Sequence, residues 1–333
     1  MKKLLALVIV LSLVLGMGVG VLAEEYEDWS PIEIKKELDV QGLNPSETFN
    51  FTIGAGSGLR DGVSIDAPVF NPDEFSINIA TITEGNETGN VSGSANIDLP
   101  TFTQVGVYTY PISETAGKTA GFDYDDGEYN LVITVINNPA FGEEGEPKFL
   151  RVLTLTDGNN VKKDAFKNSF DSGDLTVKKV IEGNYADPND EFEIIVTLTP
   201  VEGKVLNSDA IAIEHDRGTI SVLNETTGEI KIAYSGIKGG DSFTIQNIPY
   251  DVNYLVEEVT GEDGLANGYE VAYDEFAEGL MDSSEKATTI TNTRITEVPT
   301  GVNLDNLPYV LILGAASVGL VVFTLKRRFS DDR

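Results

Sequence analysis

The chain has 333 residues, a formal net charge of -31 and no cysteine. The length predicts about two domains, and 41% apolar residues with 33 Gly and 13 Pro suit folded, turn-rich β-structure. The acidity disfavours nucleic acid and anionic lipid as partners, which need basic patches, and the missing cysteines exclude disulfides, thiol nucleophiles and thioesters.

Residues 1–23 read as a secretory signal, with Met1-Lys2-Lys3, an apolar run starting at Leu4, and small residues before Val21-Leu22-Ala23. Cleavage is expected after Ala23. Beyond it, the stretches 49–53, 75–79, 129–135 and 149–155 alternate apolar with polar or β-branched residues, the period-2 signature of strands. The stretches 192–198, 220–222, 230–232 and 243–245 continue the pattern, with turn signals at Asp126-Gly127, Glu143-Glu144-Gly145 and Gly239-Gly240-Asp241. The predicted fold class is all-β: two tandem antiparallel sandwiches, 24–171 and 172–294, between an N-terminal signal and a C-terminal segment 295–333. The acidic runs 123–128 and 187–191 lack the spacing of a calcium loop and are read as solvated loops, so neither metal nor other cofactor is expected.

The chain repeats itself in order. IEIKKEL at 32–38 parallels LTVKKVI at 175–181, and in each the second lysine, Lys36 or Lys179, falls in register with the apolar positions. Tyr108, Tyr110, Ile112 and Glu114 share a strand face, as do Tyr254, Val256 and Glu258. Near the end of each copy, Phe166-Lys167-Asn168 parallels Ile290-Thr291-Asn292. Each repeat thus aims one Lys, one Glu and one Asn inward, while Lys35, Lys178 and Glu257 point outward.

A buried lysine or carboxylate escapes its desolvation cost by becoming neutral. A neutral amine can attack the asparagine side-chain carbonyl. A protonated glutamic acid can hydrogen-bond the carbonyl oxygen, stabilise the tetrahedral intermediate and pass protons to the leaving ammonia. Folding holds the reactants together at an effective molarity on the order of 10⁵ M or more. The product is a Lys-Asn isopeptide bond made once, without turnover.

At the C-terminal end, Glu297-Val298-Pro299-Thr300-Gly301 is followed by a short spacer, 302–308, an uncharged apolar run, 309–325, and Lys326-Arg327-Arg328 in a basic tail, 326–333. The 17 residues of that run sit at the lower limit for a membrane-spanning helix, and the basic residues hold its end in the cytoplasm. This order resembles the cell-wall sorting signal of Gram-positive bacteria, in a pentapeptide variant used by pilin subunits. The resemblance implies that a pilus sortase attacks the Thr300 carbonyl and releases Gly301 with the tail.

Together, the Lys-Lys strands, the two glutamate strands, the two late asparagines and EVPTG resemble the two-domain major pilins of the streptococcal T-antigen type, over nearly the whole chain. That resemblance implies Ig-like, CnaB-like sandwiches in which Lys36 bonds Asn168 with Glu114 as catalyst, and Lys179 bonds Asn292 with Glu258 as catalyst. It implies neighbouring subunits as covalent partners, joined through a lysine just before the last strand of the first domain, where Lys162 and Lys163 stand and Lys162 is favoured. Minor pilins and a host surface ligand are further possible partners, and the membrane is one only before sorting. The implied location is the cell surface. A monomeric wall-anchored adhesin would share these signals. A turnover enzyme is not expected, because His215 is the single histidine and no triad or metal set can be assembled from it. Trp29 and the tyrosines are read as core or strand-pair residues.

Overall fold

The computed structural model describes residues 28, 31–81, 88–213, 218–296, 309, 311–318 and 320. The signal 1–23, Trp29, His215, the pentapeptide with Thr300 and Gly301, and the basic tail lie outside the described residues. Within 309–325, the described positions are helical and exposed. Among the described residues no helix is long and apolar enough to cross a membrane.

Alternation dictates the strands. The first sandwich contains β1 (Ile32–Gln41), β2 (Glu47–Ile53), β3 (Ser57–Arg60), β4 (Val63–Ile65), β5 (Glu74–Ile79) and β6 (Thr88–Ile97). It continues with β7 (Gly106–Thr115), β8 (Phe122–Asp123), β9 (Tyr129–Asn137), β10 (Phe149–Asp157), β11 (Lys162–Lys163) and the start of β12 (Phe166–Glu182). The second uses the rest of β12 with β13 (Phe192–Pro200), β14 (Ala212–Ile213), β15 (Gly218–Asn224), β16 (Glu229–Ile237) and β17 (Ser242–Pro249). It closes with β18 (Val252–Glu258), β19 (Glu270–Tyr273), β20 (Glu278–Met281) and β21 (Glu285–Thr293).

One sheet runs through both sandwiches, because β12 is a single strand of 17 residues. Its first part pairs with β1 and β8, its second with β17 and β21, and its ladder shifts between Gly173 and Leu175. The last strand of one sandwich is therefore the first strand of the next, where the sequence suggests two separate strands. The six-strand path β11-β10-β9-β7-β2-β5 covers one core and the sheet β15-β16-β13-β18-β20 covers the other.

The antiparallel expectation needs one correction. β1 and β12 pair parallel, and so do β12 and β21. A sandwich whose chain enters at one end and leaves at the other must have first and last strands running the same way, and this allows two sandwiches to follow each other on one strand. The junction is also braced by backbone bonds: Tyr250 N donates to Asp171 O at 3.0 Å, Asp171 N to Gly121 O at 2.9 Å, and Ala120 N to Val205 O at 2.9 Å.

Candidate functional site: a buried Lys-Glu-Asn cluster in each sandwich

On β1, Ile32, Ile34, Lys36, Leu38 and Val40 are all buried, and on β12 Leu175, Val177 and Lys179 are. Lys35 and Lys178 are exposed. The strand period that buries the aliphatic neighbours thus carries each second lysine inward with them.

The partners arrive from two directions. In the parallel ladder Leu38 stands opposite Asn168, two places beyond Lys36, and Ile181 stands opposite Asn292, two places beyond Lys179. The lysine and asparagine of each cluster therefore share one sheet at the same offset. The glutamate comes from the facing sheet, Glu114 on β7 and Glu258 on β18, each at the inward end of a buried alternation.

Glu114 bridges the first pair: Lys36 Nζ lies 2.6 Å from Oε2, and Asn168 Nδ2 donates to Oε1 at 2.6 Å. Glu258 repeats the arrangement, with Lys179 Nζ 2.5 Å from Oε2 and Asn292 Nδ2 donating to Oε1 at 2.6 Å. The side chains of both ion pairs are fully shielded from solvent. An aromatic wall completes each site, the Phe49 ring centroid 4.9 Å from Lys36 Nζ and the Phe192 centroid 4.4 Å from Lys179 Nζ.

Burial sets the proton states. Desolvation lowers the pKa of Lys36 and of Lys179, outweighing the opposing pull of the glutamate on each. Desolvation likewise raises the pKa of Glu114, outweighing its hydrogen bonds from Lys36 and Asn168. In the first cluster both shifts favour the neutral amine and the neutral acid, the forms that amide chemistry requires.

The amide orientation differs from the sequence-based expectation. Each glutamate meets the asparagine nitrogen, not its carbonyl oxygen. In the first site the reason is local: the Asp125 backbone N–H donates to Asn168 Oδ1 at 2.6 Å, and a backbone N–H can only donate, so the amide nitrogen must turn to Glu114. In the second site Asn292 Oδ1 is buried and has no hydrogen-bond partner among the described residues.

Sequence reasoning missed Asp125, Phe49, Phe192 and Tyr273, whose hydroxyl accepts from Glu258 N at 2.9 Å. Only the two phenylalanines left a usable signal, since Phe49 and Phe192 lie on the inward register of β2 and β13. Lys162 and Lys163 form the two-residue edge strand β11. Lys163 pairs with Asp157 at 3.2 Å, whereas Lys162 is exposed and approaches Asp164 only at 3.9 Å.

Two stacked β-sandwiches, each with a lysine, a glutamate and an asparagine locked in its core, define the class: a two-domain β-sandwich protein built around buried Lys-Glu-Asn clusters. Residues 32–171 match the family model described as a Spy0128-like isopeptide containing domain, and residues 173–294 match a domain of unknown function, DUF7601. The chain is 25% identical over 322 residues to a pilin of Streptococcus pyogenes serotype M1, covering 89% of this chain and 90% of that one. Among solved structures, the major pilin T3.2 of S. pyogenes serotype GAS13637 is 24% identical, with 80% of this chain and 98% of that one covered at a TM-score of 0.51. Another S. pyogenes major pilin is 22% identical, with 80% and 99% covered at a TM-score of 0.48. The chain is thus similar in sequence to a streptococcal pilin and shares its first domain's family model with isopeptide-containing domains.

Proposed function

We propose that this protein is the structural subunit of a cell-surface pilus, exported, polymerised by a sortase through Thr300, and braced by self-formed Lys36–Asn168 and Lys179–Asn292 isopeptide bonds. The observation that carries the reading is the same glutamate-bridged contact occurring twice, at the same ladder offset, in two sandwiches of one chain. Kinship with pilins supplies the pilus, and the C-terminal motif supplies the sortase.

In each core the neutral lysine Nζ uses its lone pair to attack the asparagine Cγ, and the carbonyl π electrons move onto Oδ1. The glutamic acid hands its proton to Nδ2 and takes one from Nζ as the C–Nδ2 bond breaks. One C–N bond forms, one breaks, ammonia leaves, and the glutamate ends protonated as it began. Because the bond is permanent, the chain is a single-turnover reactant and not an enzyme.

The pH dependence follows from the pair acting as one unit with one shared proton. Acid adds a second proton and charges Lys36; alkali removes the shared proton and leaves Glu114 a carboxylate. Crosslinking of the first sandwich is therefore expected to fall on both sides of a central plateau. Refolding never-folded chain from inclusion bodies across pH, with the Lys36–Asn168 peptide measured by mass spectrometry, checks this; a rate that rises without limit toward alkali would contradict it.

For polymerisation, Lys162 is the acceptor favoured by its weaker pairing, 3.9 Å from Asp164 against 3.2 Å between Lys163 and Asp157, the two side chains being equally open to solvent. Digestion of native cell-wall polymer should yield a branched peptide joining Thr300 to Lys162. A branch at Lys163 would move the acceptor, and a single unbranched species anchored to wall would make the protein a monomeric adhesin.

A further inference from the structure

We propose that Asp125 is a positioning residue for the first isopeptide bond, its side chain fixing a turn whose backbone N–H forms a one-donor oxyanion site at Asn168 Oδ1. The inference rests on the crosslinking reading above and adds to it a group that the Lys-Glu-Asn triad does not contain.

Asp125 lies in the acidic run between β8 and β9 that its sequence marks only as a solvated loop. Three donors converge on its carboxylate. Gly127 N donates to Oδ1 at 2.9 Å, Tyr129 Oη to Oδ2 at 2.6 Å, and Lys167 N to Oδ2 at 3.2 Å. The first closes an Asx turn, the second ties the turn to β9, and the third ties it to β12 one residue before Asn168. Tyr129 is itself seated by its ring, which packs edge-on against Phe166 at 4.6 Å between centroids. With the loop held from three sides, the Asp125 N–H is aimed at the Asn168 carbonyl oxygen at 2.6 Å.

The position matters because charge develops there. When Lys36 Nζ attacks Cγ, the carbonyl electron pair moves to Oδ1, and a preorganised donor at that atom stabilises the tetrahedral intermediate more than the starting amide. The same contact turns Nδ2 toward Glu114, the acid that must protonate it as ammonia leaves. Asp125 also acts through charge, since its carboxylate raises the pKa of both Glu114 and Lys36. That helps the acid and hinders the amine, so charge alone gives no clear advantage and the turn is the effective part. The second sandwich supplies a comparison within the same molecule: Asn292 Oδ1 meets no donor among the described residues.

The test uses the ectodomain isolated unfolded from inclusion bodies, refolded at neutral pH, quenched in acid at intervals and digested. Peptides carrying Lys36–Asn168 and Lys179–Asn292 are then quantified by mass. Losing an oxyanion donor costs about 10²-fold in rate where it has been measured. Asp125→Ala, which misplaces the donor without deleting it, is expected to slow the first crosslink roughly tenfold or more, leaving the second unchanged. Asp125→Asn keeps the Oδ1 acceptor for Gly127 N and so the Asx turn, but removes the charge and puts an amide nitrogen where Oδ2 accepted from Tyr129 and Lys167, and is expected to give a rate between those of Asp125→Ala and the native chain. Tyr129→Phe removes one tether without disturbing the ring and should give an intermediate rate; it carries the test if Asp125→Ala prevents the first sandwich from folding.

Native rates in both Asp125→Ala and Tyr129→Phe would overturn the proposal, as would Asp125→Asn being as slow as Asp125→Ala. If the native chain released no ammonia in either sandwich, the crosslinking reading itself would fall, a result separable from failure of Asp125 alone.

Discussion

Replacing Glu114 by alanine is expected to leave the ectodomain one ammonia lighter than its sequence, where the native chain is two lighter and the Glu114→Ala, Glu258→Ala double variant carries its full sequence mass. The effect is all-or-none because each glutamate is the group that touches both reacting side chains. Without it, nothing at that position carries the proton from the amine to the leaving nitrogen. Glu257 is the built-in control, adjacent in sequence but on the exposed face of β18, so Glu257→Ala should leave the mass two ammonias short. Loss of a crosslink in Glu257→Ala, or its survival in Glu258→Ala, would contradict the geometry. The uncrosslinked variants should also unfold more easily. A covalent link closing a loop of about 100 residues is worth about 4.7 kcal/mol in the chain-entropy view, and each proposed bond closes a loop at least that long.

The second large effect is mechanical. Asn168 and Lys179 sit on the one strand β12, about 36 Å apart along it at the usual rise per residue. If subunits join through Lys162 and Thr300, tension enters beside β11, runs along β12 to Lys179, crosses the second isopeptide bond to Asn292 and leaves through the C-terminal segment. Residues 180–291 are bypassed and the native chain should not lengthen when pulled between these points. In Glu258→Ala the bypass is gone. Pulling should then release residues 180–291 at roughly 3.3–3.6 Å each, several hundred ångström in all. Glu114→Ala should behave as the native chain in this geometry, since Lys36 lies outside the path. Single-molecule force spectroscopy with handles near residues 162 and 296 reads the difference, and an extension step in Glu114→Ala but not in Glu258→Ala would refute the load path.

Much of this was legible because strands encode their faces with a period of two. Lys36 and Lys179 fall in phase with aliphatic neighbours, Glu114 and Glu258 in phase with tyrosines, and Lys35, Lys178 and Glu257 out of phase, so burial could be read residue by residue. The duplication strengthened the reading, since a chance register does not recur in the same order. The parallel pairing of β1 with β12 and of β12 with β21 was not legible, because alternation says which way a side chain faces and nothing about which strand lies beside it. The fusion of two strands into β12 was hidden for a related reason: Ser172, Gly173 and Asp174 look like a turn, yet the ladders on either side carry the strand through them.

Sequence alone determined the chemical inventory of each core, one amine, one acid and one amide per sandwich, because side-chain type and strand phase are local properties. Only the tertiary structure decided which atoms meet. It set the two-residue offset between lysine and asparagine, brought the glutamate from the facing sheet, and turned the Asn168 nitrogen toward Glu114 by placing the Asp125 N–H on its oxygen. Those contacts join residues 34 to 132 positions apart, and no local pattern carries distances of that kind.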